Sequence, residues 1–202
     1  MSTVAMTAPD GVRFEVATGA LCLDFVYTGG AAERARWEAL HTPADLERWL
    51  RSSRLAAAAP IPAVVHLTET DLTDVHELRE VLWRLGNDLA DGQPVRAGDA
   101  EALNRWARQP DLVAVLVEGR AGWAGPMTGQ QLLSTLARDA IALVTGPHAG
   151  RVRRCAAADC ALLFIDTSRP GTRRWCAMSR CGNRTKARSR RAHRHDTPKE
   201  TP

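Results

Sequence analysis

The sequence predicts an α+β fold. A mainly helical N-terminal domain with a small antiparallel hairpin spans residues 1–148, and a compact second module follows at 151–194. Three observations carry this. Apolar residues recur at steps of three or four through much of the first 150 residues, the period of a helix with one buried face. Four of the five cysteines fall between Cys155 and Cys181. The charge divides at the same place: from Arg151 onward 12 Arg and 2 Lys face four acidic residues, a balance of +10, while the first 150 residues carry −6 of the overall +4. With 45% apolar and 25% charged residues the composition is that of a globular chain, not a disordered one.

Residues 1–12, with Pro9 and Gly11, read as a loose start. Val12–Val16 alternates as a short strand does, and the apolar patch Leu21–Val26 fits either a strand or a buried helix. Thr42-Pro43 reads as a cap followed by proline at the first helical position, with Leu46, Trp49 and Leu50 on one stripe. Residues 56–62, small residues and prolines, read as a linker. Leu72, Val75, Leu78, Leu82, Leu85 and Leu89 mark a long helix stopped at Gly92. Asp99 is the expected cap of a shorter helix bearing Leu103 and Trp106. Residues 112–123 read as a hairpin, and Thr128 opens a last body helix ended by Gly146-Pro147.

The cysteine spacing is C-x4-C, 15 residues, C-x4-C. Each close pair can form a knuckle that delivers two thiolates, so Cys155, Cys160, Cys176 and Cys181 form a candidate four-thiolate zinc site. Two disulfides and a four-cysteine iron–sulfur centre are the alternatives. Four protein ligands leave no open position for water, so one structural zinc per chain is expected, with the module depending on it to fold. Strands around Val152 and Leu162–Ile165, with a helix after Cys181, would give a zinc-ribbon or treble-clef-like order.

A +10 segment suits a polyanion. The candidate nucleic-acid contacts are Arg173, Arg174, Arg184, Lys186, Arg188, Arg190, Arg191 and Arg194, since the guanidinium fork matches a phosphate. A solvated or protein-binding basic surface is the competing reading. The chain holds 25 Arg and 2 Lys in all, so the clustering is informative and the choice of Arg over Lys is not. Trp175 is expected to pack beside the zinc core, Asp166 and Ser168 to shape a turn, and Cys22 to be a buried thiol.

The run Cys176-Ala-Met-Ser-Arg-Cys181-Gly182-Asn183-Arg184, with Arg154-Cys155, Cys160, Phe164-Ile-Asp-Thr-Ser-Arg169, Arg173-Arg-Trp175 and Lys186, resembles the CGNR zinc-finger family. Upstream, Leu21-Cys-Leu-Asp-Phe-Val-Tyr27-Thr28 is similar to the opening of the ABATE domain that precedes this finger in the family. Tyr27 stands where that pattern usually has Asn. The resemblance implies a bacterial, zinc-binding transcription regulator.

No apolar run is long enough to span a membrane, and residues 1–10 lack a basic region and an apolar core, so the expected compartment is the cytoplasm. No phosphate-cradling glycine loop and no H-E-x-x-H is present, so an enzyme is not expected. The expected partners are nucleic acid, DNA ahead of RNA, with a small-molecule ligand of the N-terminal domain and a homodimer as further candidates. The alternative functions are a zinc-stabilised protein-interaction module and a ligand sensor that does not itself bind nucleic acid. An acidic body tethered to a basic module is also expected to meet some of its own tail.

Overall fold

A computed structural model of the chain describes residues 4–7 and 11–195. The sequence is also expected to end in a disordered tail at 195–202; residue 195 is the last of a helix, and positions 196–202 lie outside the described residues. The fold is mixed and mostly helical, with small two-stranded sheets. Strand β1 (Val4–Thr7) pairs antiparallel with β2 (Arg13–Val16), so part of the expected loose start is a hairpin. Leu21–Phe25 resolves its ambiguity as a short buried helix, α1. A single 3₁₀ turn (Val26–Thr28) follows, and a second 3₁₀ segment covers Ala32–Trp37.

Helix α2 (Pro43–Ser52) begins at the expected Thr42 cap, whose side chain accepts from the Asp45 N–H while Asp45 reaches back to the Thr42 N–H. The expected linker instead starts with a helix, α3 (Arg54–Ala58). Alanine costs no side-chain entropy there, and the Ser53 hydroxyl accepts from the Leu55 N–H. β3 (Val65–His66) precedes the long helix α4 (Glu69–Ala90), opened by a second capping box, Thr68/Asp71. Helix α5 (Ala97–Ala107) starts one turn earlier than expected: Arg96 is its cap residue, and Asp99 lies inside the first turn, buried and paired with Arg84 at 2.5 Å. The hairpin is β4 (Ala114–Val117) with β5 (Arg120–Trp123), and it leaves Val113, Leu116 and Val117 exposed. β6 (Met127–Thr128) pairs in parallel with β3 and runs straight into α6 (Gly129–Thr145), capped by Thr128 and Gln131.

Helix α4 occupies the centre, against α1, α2, α5 and α6. Val75, Leu78, Leu82 and Leu85 face α6 residues Leu132, Leu133, Leu136 and Ala140 in one core cluster, all of them at most 2% exposed. The C-terminal module packs on the same helix. β7 (Val152–Arg154) and β8 (Leu163–Ile165) pair antiparallel, with Val152 opposite Ile165 and Arg154 opposite Leu163. Successive strand residues point to opposite faces, and β8 uses both. Leu163 and Ile165 join the body core, whereas Phe164 joins a second cluster around the cysteines. Gly86 of α4 permits this approach, since a Cβ there would lie 2.7 Å from Leu163 Cδ1. From the other end of the chain, Phe14 and Val16 of β2 also pack in the cysteine cluster. Helix α7 (Asn183–His195) closes the described chain, entered through a π-helical turn at Met178–Gly182. Among the described residues no helix is long and apolar enough to cross a membrane.

Candidate metal centre and basic helix

The β7–β8 connection carries Cys155 and Cys160, and the entry to α7 carries Cys176 and Cys181. Short backbone bonds shape the first knuckle: Cys155 N–H to Leu162 O at 2.7 Å and Cys160 N–H to Ala157 O at 2.9 Å. At the second, the Gly182 N–H reaches Ala177 O at 3.2 Å. A Cβ on Gly182 would stand 2.3 Å from Met178 Sδ, so a side chain here would push that exposed methionine aside. The Asn183 side-chain amide donates to Ser179 O at 3.3 Å and braces the same turn.

The four sulfurs lie within 4.8 Å of one another, and none is in a disulfide. Cys160 and Cys176 are 3.8 Å apart, Cys176 and Cys181 3.6 Å. Four sulfurs held tetrahedrally at about 2.3 Å from zinc stand about 3.8 Å from each other, so the cluster fits that ion. On their own the four groups cannot ionise together. Hydrogen bonds from Cys160 and Cys176 bring the Cys155 thiol down to about 2. The bond to Cys155 pushes Cys160 up to about 12 and Cys176 higher still, and burial raises Cys181. A divalent cation removes this conflict, because a thiol that coordinates it is deprotonated outright. Zinc bound here would supply structural cross-linking only, since four thiolates complete its shell. Cys155, Cys160, Cys176 and Cys181 thus fit one structural zinc ion.

The surroundings hold this geometry. Asp166 is fully buried. Burial alone would raise its carboxyl, but bonds from the Ser168 N–H (2.9 Å), the Ser168 hydroxyl (2.6 Å) and the Arg173 N–H (2.9 Å) hold it below the usual range. Asp166 and Ser168 therefore shape the loop between the two cysteine pairs. Trp175 is half-buried against the zinc cluster. Tyr27 ties the body to β8: its hydroxyl donates to Leu163 O at 3.2 Å and accepts from the Leu163 N–H. An Asn at position 27 would be too short for the same reach. Cys22 is buried in the body core, far up the chain from the cluster, with its N–H on Asp139 Oδ2 at 2.8 Å.

The arginines divide in a way the sequence did not reveal. Arg173, expected to contact anions, is turned inward. Its Nε donates to Trp175 O (3.0 Å), its Nη1 to Ala17 O (3.3 Å) and its Nη2 to Cys176 O, and the guanidinium stacks 4.2 Å over Phe164. Arg184 also serves the module, donating from Nη2 to Asp159 (2.8 Å) and to Cys181 Sγ (3.7 Å). Arg188 takes the other Asp159 oxygen at 2.8 Å. Asp159, on the first knuckle, thus pins two successive turns of α7. Arg174, Lys186, Arg190 and Arg191 are exposed; Arg194 lies within α7, but its side chain is not among those described. The acidic body engages Arg154, which binds Asn87 Oδ1 (2.8 Å) and Asp91 (3.0 Å) at the end of α4.

Replacing Arg184 by Gln removes a donor to a ligand sulfur and half of the Asp159 clamp. Zinc affinity is expected to fall about tenfold or more, as for other groups that orient metal ligands. Competition with a chromogenic chelator measures it, and unchanged affinity would show that the sulfur contact is incidental.

A helical body that shares a strand with a closed four-thiolate site defines a zinc-finger protein whose metal is structural. Comparison with known families agrees. A model described as "Putative stress-induced transcription regulator", ABATE, matches residues 19–147, and the CGNR zinc finger matches residues 151–194. The chain belongs to the ABATE family, with a C-terminal CGNR zinc finger. No curated protein matches it.

Proposed function

We propose that this protein is a cytoplasmic transcription regulator, not an enzyme, whose zinc finger presents α7 to DNA. One observation carries the reading. α7 contains no acidic residue, its first turns are anchored on the zinc knuckle through Asp159, and Lys186 and Arg190 are exposed on the stripe away from that anchor. Positions 186, 190 and 194 follow one another at i+4 and so share one face, while 184, 188 and 191 share another. Arg173 and Arg184 drop out of the contact set because their guanidinium groups are committed within the module. Arg174 and Arg191, with the partly exposed Arg188, extend the basic surface. Duplex DNA is preferred over RNA because a helix enters the wide major groove of the B form and not the deep, narrow one of the A form. Contacts of this kind position the protein on phosphates and carry no base sequence.

The test is a titration of labelled duplex DNA and duplex RNA with the zinc-loaded chain across a salt series. Affinity for DNA should fall steeply with salt, with a slope of about −0.9 per phosphate neutralised. Replacing Lys186, Arg190 and Arg194 by Gln should flatten that slope by about 0.9 for each contact removed. Absence of DNA binding even at low salt would end this reading.

A further inference from the structure

An open cleft of about 480 Å³ separates the zinc knuckle from the body. Its body wall is the 3₁₀ segment with Arg34, Arg36 and Trp37, together with Glu80 and Trp83 of α4; its finger wall includes Asp159 and the half-buried Cys160. The volume is that of a small-molecule site, and clefts between packed units are where such sites occur.

Among the described side chains, the lining holds two arginines and two carboxylates, and one of the carboxylates is engaged by arginines from outside the cleft. Arg34 is committed: it pairs with Glu80 at 2.5 Å, donates to Gly29 O at 3.1 Å and lies 4.3 Å over Trp83. Asp159 is neutralised by Arg184 and Arg188. Arg36 is left. It is exposed, rests 4.3 Å over Trp37, and has no carboxylate partner among the described residues. Among the described side chains, the lining therefore offers one guanidinium without a carboxylate partner, stacked on Trp37, with Trp83 also in the body wall. A guanidinium recognises a carboxylate through two parallel hydrogen bonds, and indole walls favour a flat apolar body.

We propose that this cleft binds a small planar anion of the aromatic carboxylate class, with its carboxylate on Arg36. The site deepens the regulator reading by giving it an effector. Asp159 is both a wall of the cleft and the anchor of Arg184 and Arg188, so the cleft and the basic helix share one side chain.

The probe is benzoate, titrated calorimetrically into the zinc-loaded full chain without nucleic acid, so the outcome does not depend on DNA binding. One benzoate per chain should bind with a dissociation constant of about millimolar or tighter, as suits a ligand of this size. Cyclohexanecarboxylate, with the same charge on a puckered ring, and benzamide, flat but neutral, should each bind at least about tenfold more weakly. Arg36→Gln, a substitution at an exposed position, should lower benzoate affinity by a similar factor while leaving zinc content and melting temperature unchanged. The proposal fails if benzoate gives no saturable heat, if benzamide binds equally well, or if Arg36→Gln retains the affinity of the unsubstituted protein.

Discussion

Cys176→Ser is expected to abolish zinc binding and to loosen the body along with the finger. Cys176 is 1% exposed and lies 3.6 and 3.8 Å from two other ligand sulfurs, and its N–H faces Cys155 Sγ at 3.5 Å. Its loss leaves three thiolates around a buried gap. Structural zinc contributes on the order of 10 kcal/mol of apparent folding free energy to such modules. The finger's own apolar cluster, Val16, Ala157, Leu162 and Phe164 beside the cysteines, is too small to replace that. Because β8 also supplies Leu163 and Ile165 to the body core, the damage spreads beyond the metal. Native mass spectrometry should find one zinc in the unsubstituted chain and none in the variant, and the variant should melt at lower temperature. Full zinc retention by Cys176→Ser would overturn the ligand assignment.

A paired truncation on β8 separates the two cores. Leu163 and Phe164 are adjacent and both fully buried, yet the first faces α4 and the second the zinc cluster. Leu163→Ala and Phe164→Ala should each cost about 3 kcal/mol, from lost transfer energy and the cavity left behind. At about 2–4 °C per kcal/mol for a chain of this size, the melting temperature should drop by about 6–12 °C in each case. Chelation distinguishes them. In metal-free protein the zinc cluster should already be loosened, so the Phe164→Ala penalty should shrink much more than that of Leu163→Ala. Equal penalties with and without metal for both variants would show that the two faces of β8 do not serve separate cores.

Much of this architecture is legible in the chain because it is encoded locally. The stripes of α2, α4 and α6 follow from a period of three to four, and their starts from threonines whose hydroxyls satisfy otherwise unpaired N–H groups at 42, 68 and 128. Where local signals conflict, contacts decide. Asp99 has the identity of a cap, but pairing with Arg84 draws it inside the first turn of α5. The segment 54–58 has composition shared by linkers and helices, and packing of Leu55 into the core selects the helix. Parallel pairing of β3 with β6 joins segments about 60 residues apart, and nothing in two-residue strands announces it.

The +10 segment shows the same division. The sequence by itself determined the four ligands and the metal they suit, because a knuckle is made by cysteines close along the chain. It also determined that the arginines concentrate beside them. Only the tertiary structure decided which arginines face outward. Arg173 and Arg174 are neighbours of identical chemistry, yet one stacks on Phe164 and bonds three carbonyls while the other is exposed. Arg184 and Lys186 diverge likewise, because Asp159 of the knuckle lies on one side of α7. The tertiary structure also brought Phe14 and Val16 from the start of the chain to complete the zinc core, and placed Tyr27 on the backbone of β8. Side-chain direction depends on partners far away in sequence. Residue type and spacing record the chemistry available at each position, and the packed fold decides where that chemistry is spent.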